Sequence, residues 1–191
     1  MHQPALISVI VPTLNEGKQM GGLLDFLLAR PGVEVIVSDG GSRDETVTIC
    51  RHYPVKVVEG RPGRGCQLNA GAAQASGKVL FFLHADSRPR VEVFDQMRQA
   101  IEKGRRWGCC SLSFDREAAF YRMVARGSNW RAQRGICYGD QGIFCQREWF
   151  MNQGGFPDLV FLEDLSFSRR VRKRNRPRVI TAEIITSTRR F

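Results

Sequence analysis

Three short polar clusters carry side chains able to do chemistry: Thr13-Leu14-Asn15-Glu16, Asp39-Gly40-Gly41-Ser42-Arg43-Asp44 and His84-Ala85-Asp86-Ser87. Each directly follows a run of apolar, mostly β-branched residues, so each reads as the polar mouth of a strand. Open α/β sheets bind ligands in the crevice outside the carboxyl ends of their parallel strands, and three such mouths converge there. A fourth strand end leads into Gly60-Arg61-Pro62-Gly63-Arg64-Gly65. Its two guanidinium groups, with the amides of Gly63 and Gly65 at a helix start, favour an anion. Carboxylates placed to hold a divalent metal beside an anion site suit a nucleoside diphosphate. Taken singly, each cluster has a plainer role in turn chemistry. Asp86 and Ser87 could simply cap the helix after Pro89, and Glu163-Asp164 could be acids favoured by the start of a helix.

The elements that must position these residues follow from the apolar spacing. Val79 to Leu83 is five consecutive apolar residues, too short for a membrane span and without alternation, hence a strand buried on both faces. Leu6 to Val11, closed by Pro12, is a first strand, and Met20 to Ala29 has helical spacing up to Pro31-Gly32. Glu34 to Ser38 is a second strand, followed by a helix capped at Ser42 and running to His52; Val55 to Val58 is a third strand. A helix from Cys66 to Ala75 leads to the Val79 strand. This β-α-β-α-β-α-β order implies right-handed crossovers and a mostly parallel sheet covered by helices.

Beyond Arg90, helical spacing continues to Gly104. Trp107 to Phe114 then reads as a strand, Ala118 to Trp130 as a helix, Gly142 to Cys145 as a short strand and Arg147 to Asn152 as a helical turn. A last helix begins at Glu163, with arginines crowded from Arg169 to Arg178, and Val179 to Ile185 is a final strand. The chain stops at Arg189-Arg190-Phe191 without a helix stop signal, the pattern expected of a truncated end.

With 191 residues, 42% hydrophobic and 25% charged, the chain is expected to be one soluble globular domain. Its formal net charge of +10 points to a polyanionic or phosphate-bearing partner. The six cysteines form no C-x-x-C pair, so neither a disulfide framework nor a zinc site is indicated, and reduced cytoplasmic thiols are expected. The apolar run from Ala5 to Val11 lacks a basic leader and is not read as a signal peptide. Neither G-x-G-x-x-G nor G-x-x-x-x-G-K-[ST] is present, which excludes the common dinucleotide and phosphate loops.

The motifs Ser8-Val9-Ile10-Val11-Pro12-Thr13-Leu14-Asn15-Glu16, Val37-Ser38-Asp39-Gly40-Gly41-Ser42-Arg43-Asp44-Glu45-Thr46, Gly65-Cys66-Gln67-Leu68-Asn69-Ala70-Gly71 and Leu83-His84-Ala85-Asp86 resemble, in order and spacing, the family 2 glycosyltransferases. Within that family the chain looks most like the small bacterial arsenosugar-biosynthesis-type, or radical-SAM/selenodomain-associated, subgroup. The resemblance implies a GT-A fold: a three-layer α/β/α domain with a mostly parallel central sheet. Residues 1–105 would form the nucleotide-sugar-binding half and residues 106–191 the acceptor side. It implies a UDP- or GDP-sugar donor, a manganese or magnesium ion, and inverting transfer to an acceptor hydroxyl.

Carried onto this chain, the resemblance places Pro12, Thr13 and Glu16 at the nucleoside and Asp39 at the base. Gly40, Arg64, Gly65 and Asn69 complete the donor site. Asp86 matches the last acid of the family's D-x-D metal motif and His84 stands where the first acid usually is; a neutral imidazole can bind manganese but adds no charge. Glu163-Asp164 matches the family's E-D pair, with Asp164 as general base. Independently of the resemblance, Arg189 and Arg190 are expected to reach the donor diphosphate by their charge. The Q-x-x-R-W motif of processive members is missing, which argues against a polysaccharide synthase.

The arginines from 169 to 178 read either as a solvated helix face or as a contact with the inner membrane surface or a phosphorylated, lipid-linked acceptor. Two other functions compete. A sugar-phosphate nucleotidyltransferase would carry a glycine-rich basic loop where Pro12 to Glu16 stands. A basic nucleic-acid-binding module would have no use for three acidic strand ends in one crevice, and nucleic acid is not expected as a partner.

Overall fold

The computed structural model describes residues 6–159 and 161–188. The strands are β1 (Ile7–Thr13), β2 (Val33–Asp39), β3 (Lys56–Glu59), β4 (Val79–Phe82), β5 (Ser87–Pro89), β6 (Trp107–Phe114), β7 (Ile143–Gln146) and β8 (Arg178–Thr186). The helices are α1 (Gly17–Leu28), α2 (Thr46–Arg51), α3 (Arg64–Ala73), α4 (Glu92–Glu102), α5 (Ala119–Gln133), α6 (Arg147–Asn152) and α7 (Glu163–Val171).

The strands form one sheet in the order β3-β2-β1-β4-β7-β6-β8-β5. β1, β2, β3 and β4 run parallel, as the repeated strand-helix pattern requires. β7 enters antiparallel between β4 and β6, β8 runs parallel to β6, and β5 pairs antiparallel with β8.

The central strands bury both faces because successive side chains point to opposite sides. Ile7, Val9 and Val11 of β1 pack with Phe81 of β4 against Met20, Leu23 and Leu27 of α1 and Phe94 and Met97 of α4. On the other face Ile10, Leu80 and Phe82 meet Leu68 and Ala72 of α3, Phe150 of α6 and Phe167 of α7. Two cores on two faces make the three-layer α/β/α architecture.

Three local expectations are corrected. β1 does not stop at Pro12 but continues to Thr13, with Pro12 opposite Ser38. Pro12 shares the parity of Ile10, whose carbonyl faces the β4 side and accepts from Leu83 N; β4 has ended there, so the missing N–H costs no ladder bond. Ser42 does not cap a helix, since α2 begins only at Thr46 after Glu45. Asp86 and Ser87 do not cap a helix either: Ser87 opens β5, opposite Thr186. Among the described residues, no helix is long and apolar enough to cross a membrane, and all six cysteines are free thiols.

Candidate active site

A cavity of about 560 Å³ opens at the carboxyl ends of β1 and β4. Pro12 and Thr13 line it from β1, Glu16 from the turn before α1, Gly63 and Arg64 from the start of α3, and His84 and Asp86 from the loop after β4. Glu163 and Asp164 enter from the start of α7, and Tyr138 and Asp140 from the loop before β7. The second strand's cluster arrives differently. Asp39 is 1% exposed and is not among the lining residues.

Asp39 turns its carboxylate into its own loop. Its Oδ1 accepts from Thr13 Oγ1 (2.9 Å) and Ser42 Oγ (2.5 Å), and its Oδ2 from Gly41 N (2.8 Å) and Ser42 N (2.7 Å). Burial pushes its pKa up, but these four bonds outweigh that and hold it below the usual range. Asn15, at φ 57°, stitches this loop to the first: its N donates to Ser42 Oγ and its Oδ1 accepts from Arg43 N, both at 2.8 Å.

Gln67 on α3 fastens the two strand mouths together. Its Nε2 donates to Thr13 O and Ser38 O, each at 2.8 Å. A Cβ on Gly40 would lie 3.0 Å from the Gln67 amide, so Gly40 serves this close packing. Asn69 and Gly65 also sit behind the cavity wall. The Asn69 amide binds both the N and O of Phe156 (2.9 and 2.8 Å), and a Cβ on Gly65 would lie 2.5 Å from Pro157 O. Together they press the loop before α7 onto α3. Arg61 pairs with Asp158 at the surface. Arg189 lies outside the described residues.

The acidic wall is built by two loops meeting. Gly139 N donates to Asp164 Oδ2 at 2.7 Å, and Leu165 N to Asp164 Oδ1 at 2.6 Å. A Cβ on Gly139 would stand 2.8 Å from His84 Nε2 and 3.3 Å from Asp164 Oδ2. Gly139 therefore lets the imidazole and the carboxylate approach one backbone. The residue before Glu163, Leu162, adopts a left-handed φ of 61°, a conformation costly for a leucine and concentrated at functional sites.

Among the described residues, Asp140 Oδ1 and Glu163 Oε1 are buried without a hydrogen-bond partner. Burial, reinforced by the nearby Asp164 charge, raises the Asp140 pKa to about 6 despite the opposing pull of Arg131. Burial likewise raises Glu163, opposed in part by Arg64, whose Nη1 is 3.5 Å from Glu163 Oε1. Among the described residues, Glu16, Asp86, Asp140, Glu163 and Asp164 thus face the cavity with Arg64 as the one lysine or arginine. No group of three or more His, Cys, Asp or Glu side chains among the described residues could hold a metal ion by itself. His84 and Asp86 suit a cation whose remaining ligands come from substrate phosphate and water, the usual way magnesium is held at nucleotides.

The sequence pattern assigns no role to Tyr138, Asp140 or Gln67. Tyr138 and Asp140 follow no parallel strand's carboxyl end: β7 is antiparallel, so Ile143, at its amino end, lies opposite Phe82 at the carboxyl end of β4. Gln67 lies within the Gly65 to Gly71 motif, but only the fold shows what its amide joins.

A three-layer α/β domain with an acidic, nucleotide-sized crevice at the β1–β4 edge defines the GT-A class of fold. The solved structures agree: a mannosyltransferase of Pyrobaculum calidifontis, described in complex with GDP-Man and Mn2+, matches over 97% of this chain and 58% of its own, with a TM-score of 0.72 at 22% identity. Glucosyl-3-phosphoglycerate synthase of Mycobacterium tuberculosis, described with Mn2+ and UDP, matches over 94% and 70%, with a TM-score of 0.69 at 21% identity. The model of Glycosyl transferase family 2 matches residues 8–157, and the chain belongs to that family. Among curated relatives, an uncharacterized glycosyltransferase of Mycobacterium tuberculosis is 30% identical over 99 residues, covering 51% of this chain and 44% of that protein. The dolichyl-phosphate beta-glucosyltransferase of Drosophila melanogaster is 31% identical over 117 residues, covering 51% of this chain and 36% of that protein. The chain thus spans less than half the length of either.

Proposed function

We propose that the protein transfers a sugar, with inversion, from a UDP- or GDP-sugar to an acceptor hydroxyl, assisted by manganese or magnesium. The observation that carries this is the charge balance of the cavity among the described residues, five carboxylates against one guanidinium, in a chain of net charge +10. A diphosphate is repelled by such a site unless a cation enters with it. His84 and Asp86 are the residues to hold that cation. When bound, it supplies Lewis-acid stabilisation of charge on the departing diphosphate.

Asp164 is the general base. Its two backbone hydrogen bonds fix the carboxylate where an acceptor hydroxyl can deliver its proton. The acceptor oxygen bonds to the anomeric carbon on the face opposite the leaving group, the bond from that carbon to the phosphate oxygen breaks, and the proton passes to Asp164. Arg64 offers positive charge to the leaving phosphate, and Glu163 beside it holds that guanidinium. Pro12, Thr13 and Glu16 form the nucleoside wall, supported from behind by Asp39, Gly40, Gly65 and Asn69. Arg189 is a further diphosphate contact in this proposal.

The acceptor is phosphorylated or lipid-linked in this proposal. Support comes from the basic helix end at Arg169 to Arg178 and from relatives whose names specify dolichyl phosphate and phosphoglycerate. A cytoplasmic protein peripheral to the inner membrane face is consistent with both. The narrower likeness to the arsenosugar-type subgroup is one of motifs and supplies no substrate. Thermal-shift titration with UDP- and GDP-sugars, with and without manganese, tests the whole: a donor-dependent rise that needs the metal is expected. Steep, salt-dependent nucleic-acid binding without any nucleotide-sugar shift would overturn it.

A further inference from the structure

α5 wears its apolar stripe on the outside. Phe120, Met123 and Trp130 are 57%, 64% and 57% exposed, and their spacing puts them within about 80° of one another around the helix. The opposite face is well anchored. Ser128 and Ala132 are buried, Tyr121 packs on Phe114 with ring centroids 5.4 Å apart, and the Asn129 amide binds both the N and O of Leu112 in β6 (2.8 and 3.2 Å). A surface helix ordinarily turns such a stripe toward the core; here the core-facing side is the small and polar one.

Within α5 the charge has a single sign, the exposed Asp115 and Glu117 lying before its first turn. From Ala118 to Gly139 the sequence contains four arginines and no acidic residue. Arg122 and Arg126 are exposed beside the stripe, and the Arg134 guanidinium lies 3.4 Å from the centre of the Trp130 ring. The basic surface continues into the end of α7, where Arg172 packs on Gly135 and donates to Arg134 O (3.3 Å) and the neighbouring Lys173 and Arg174 are exposed.

We propose that α5 docks the protein on an anionic lipid bilayer, with Phe120, Met123 and Trp130 entering the headgroup–acyl boundary and Arg122, Arg126 and Arg134 meeting the lipid phosphates. Exposed aromatic and apolar side chains flanked by arginine are the composition that binds in that plane, and stacked Trp130 and Arg134 each have an apolar body with a polar end. A second copy is a poorer occupant, because a two-fold face would set arginine against arginine. Nucleic acid would leave the apolar stripe in contact with phosphate.

The same helix reaches the active site. Arg131 on its inner side stacks over the Tyr138 ring (3.7 Å), and Tyr138 lines the cavity. Docking through α5 would bring the acceptor side of the cavity near the bilayer; that consequence rests on the proposed function, whereas docking itself does not.

The test is flotation of the full chain with vesicles of phosphatidylcholine alone and with about one-third phosphatidylglycerol added. Binding to the anionic vesicles only is expected. It should fall at least about tenfold in the variant F120S/M123S/W130S, and again in R122E/R126E or at high salt. Absence of wild-type binding, or binding that survives both variants, would overturn the proposal. So would a concentration-dependent dimer, seen by light scattering, that the triple variant abolishes, or retention on duplex DNA in place of vesicles. Thermal shift by nucleotide-sugar and manganese, measured on the same variants, reports folding and separates a failure of docking from a failure of the transferase reading.

Discussion

The backbone N–H of Gly139 donates a 2.7 Å hydrogen bond to Asp164 Oδ2, locking the loop before β7 onto the start of α7. The contact needs a bare Cα, since any Cβ there would stand 2.8 Å from His84 Nε2. Gly139→Ala is therefore expected to push His84 and Asp164 apart. Turnover should drop about tenfold to a hundredfold, while the melting temperature moves by only a few degrees. Near-normal turnover would mean that neither side chain needs its present place.

Asp164→Asn keeps the volume and removes the base, at the cost of one of the two backbone hydrogen bonds the carboxylate accepts. Transfer should fall about 10²- to 10⁴-fold, with the donor-induced thermal shift retained. Measuring both on one preparation separates lost chemistry from lost binding, and a variant that transfers normally would place the base elsewhere.

Asp86 and His84 can be tested as a pair. Asp86→Ala should raise the manganese concentration for half-maximal activity at least tenfold, since an anionic ligand is lost. His84→Asp should lower it by roughly as much, because added ligand charge tightens hard-cation sites. A titration unmoved by either change would remove both residues from the metal.

Glu34 offers a test of the fold that is independent of the site. Burial raises its pKa, but bonds from Ser8 Oγ, Ser76 N and Gly77 N overcome this and bring it from 4.5 to about 2. A depressed carboxyl stabilises the native state above its unfolded pKa, and that contribution is lost as pH falls from 4.5 toward about 2. Glu34→Gln should cost about 1–2 kcal/mol at neutral pH, and the gap to wild type should close across this acid window. Urea melts at several pH values measure it.

Much of the fold was legible because many of its elements, in both halves, are built from local signals. Val79 to Phe82 is apolar without alternation and is buried on both faces; Trp107 to Phe114 and Arg147 to Asn152 begin and end where their patterns do. The boundary errors fell where tertiary contacts override local rules. Pro12 stays in the sheet because β4 ends beside it, and Ser42 is drawn to Asp39 instead of a helix amino end.

The sequence by itself determined the parallel half of the protein and the side chains at its edge: Thr13, Glu16, His84 and Asp86 had to face one crevice, because right-handed β-α-β crossovers put every strand's carboxyl end on the same side. Glu163-Asp164 was legible as a motif, but not as a neighbour of His84. Only the tertiary structure brought Asp140 and Tyr138 to the cavity, turned Asp39 away from it, and set the apolar stripe of α5 outward. Each depends on pairings between distant segments, above all the insertion of β7 antiparallel to β4. Apolar period tells which residues share a face of an element, whereas the direction of a strand and the side a helix buries are decided by the partner it meets.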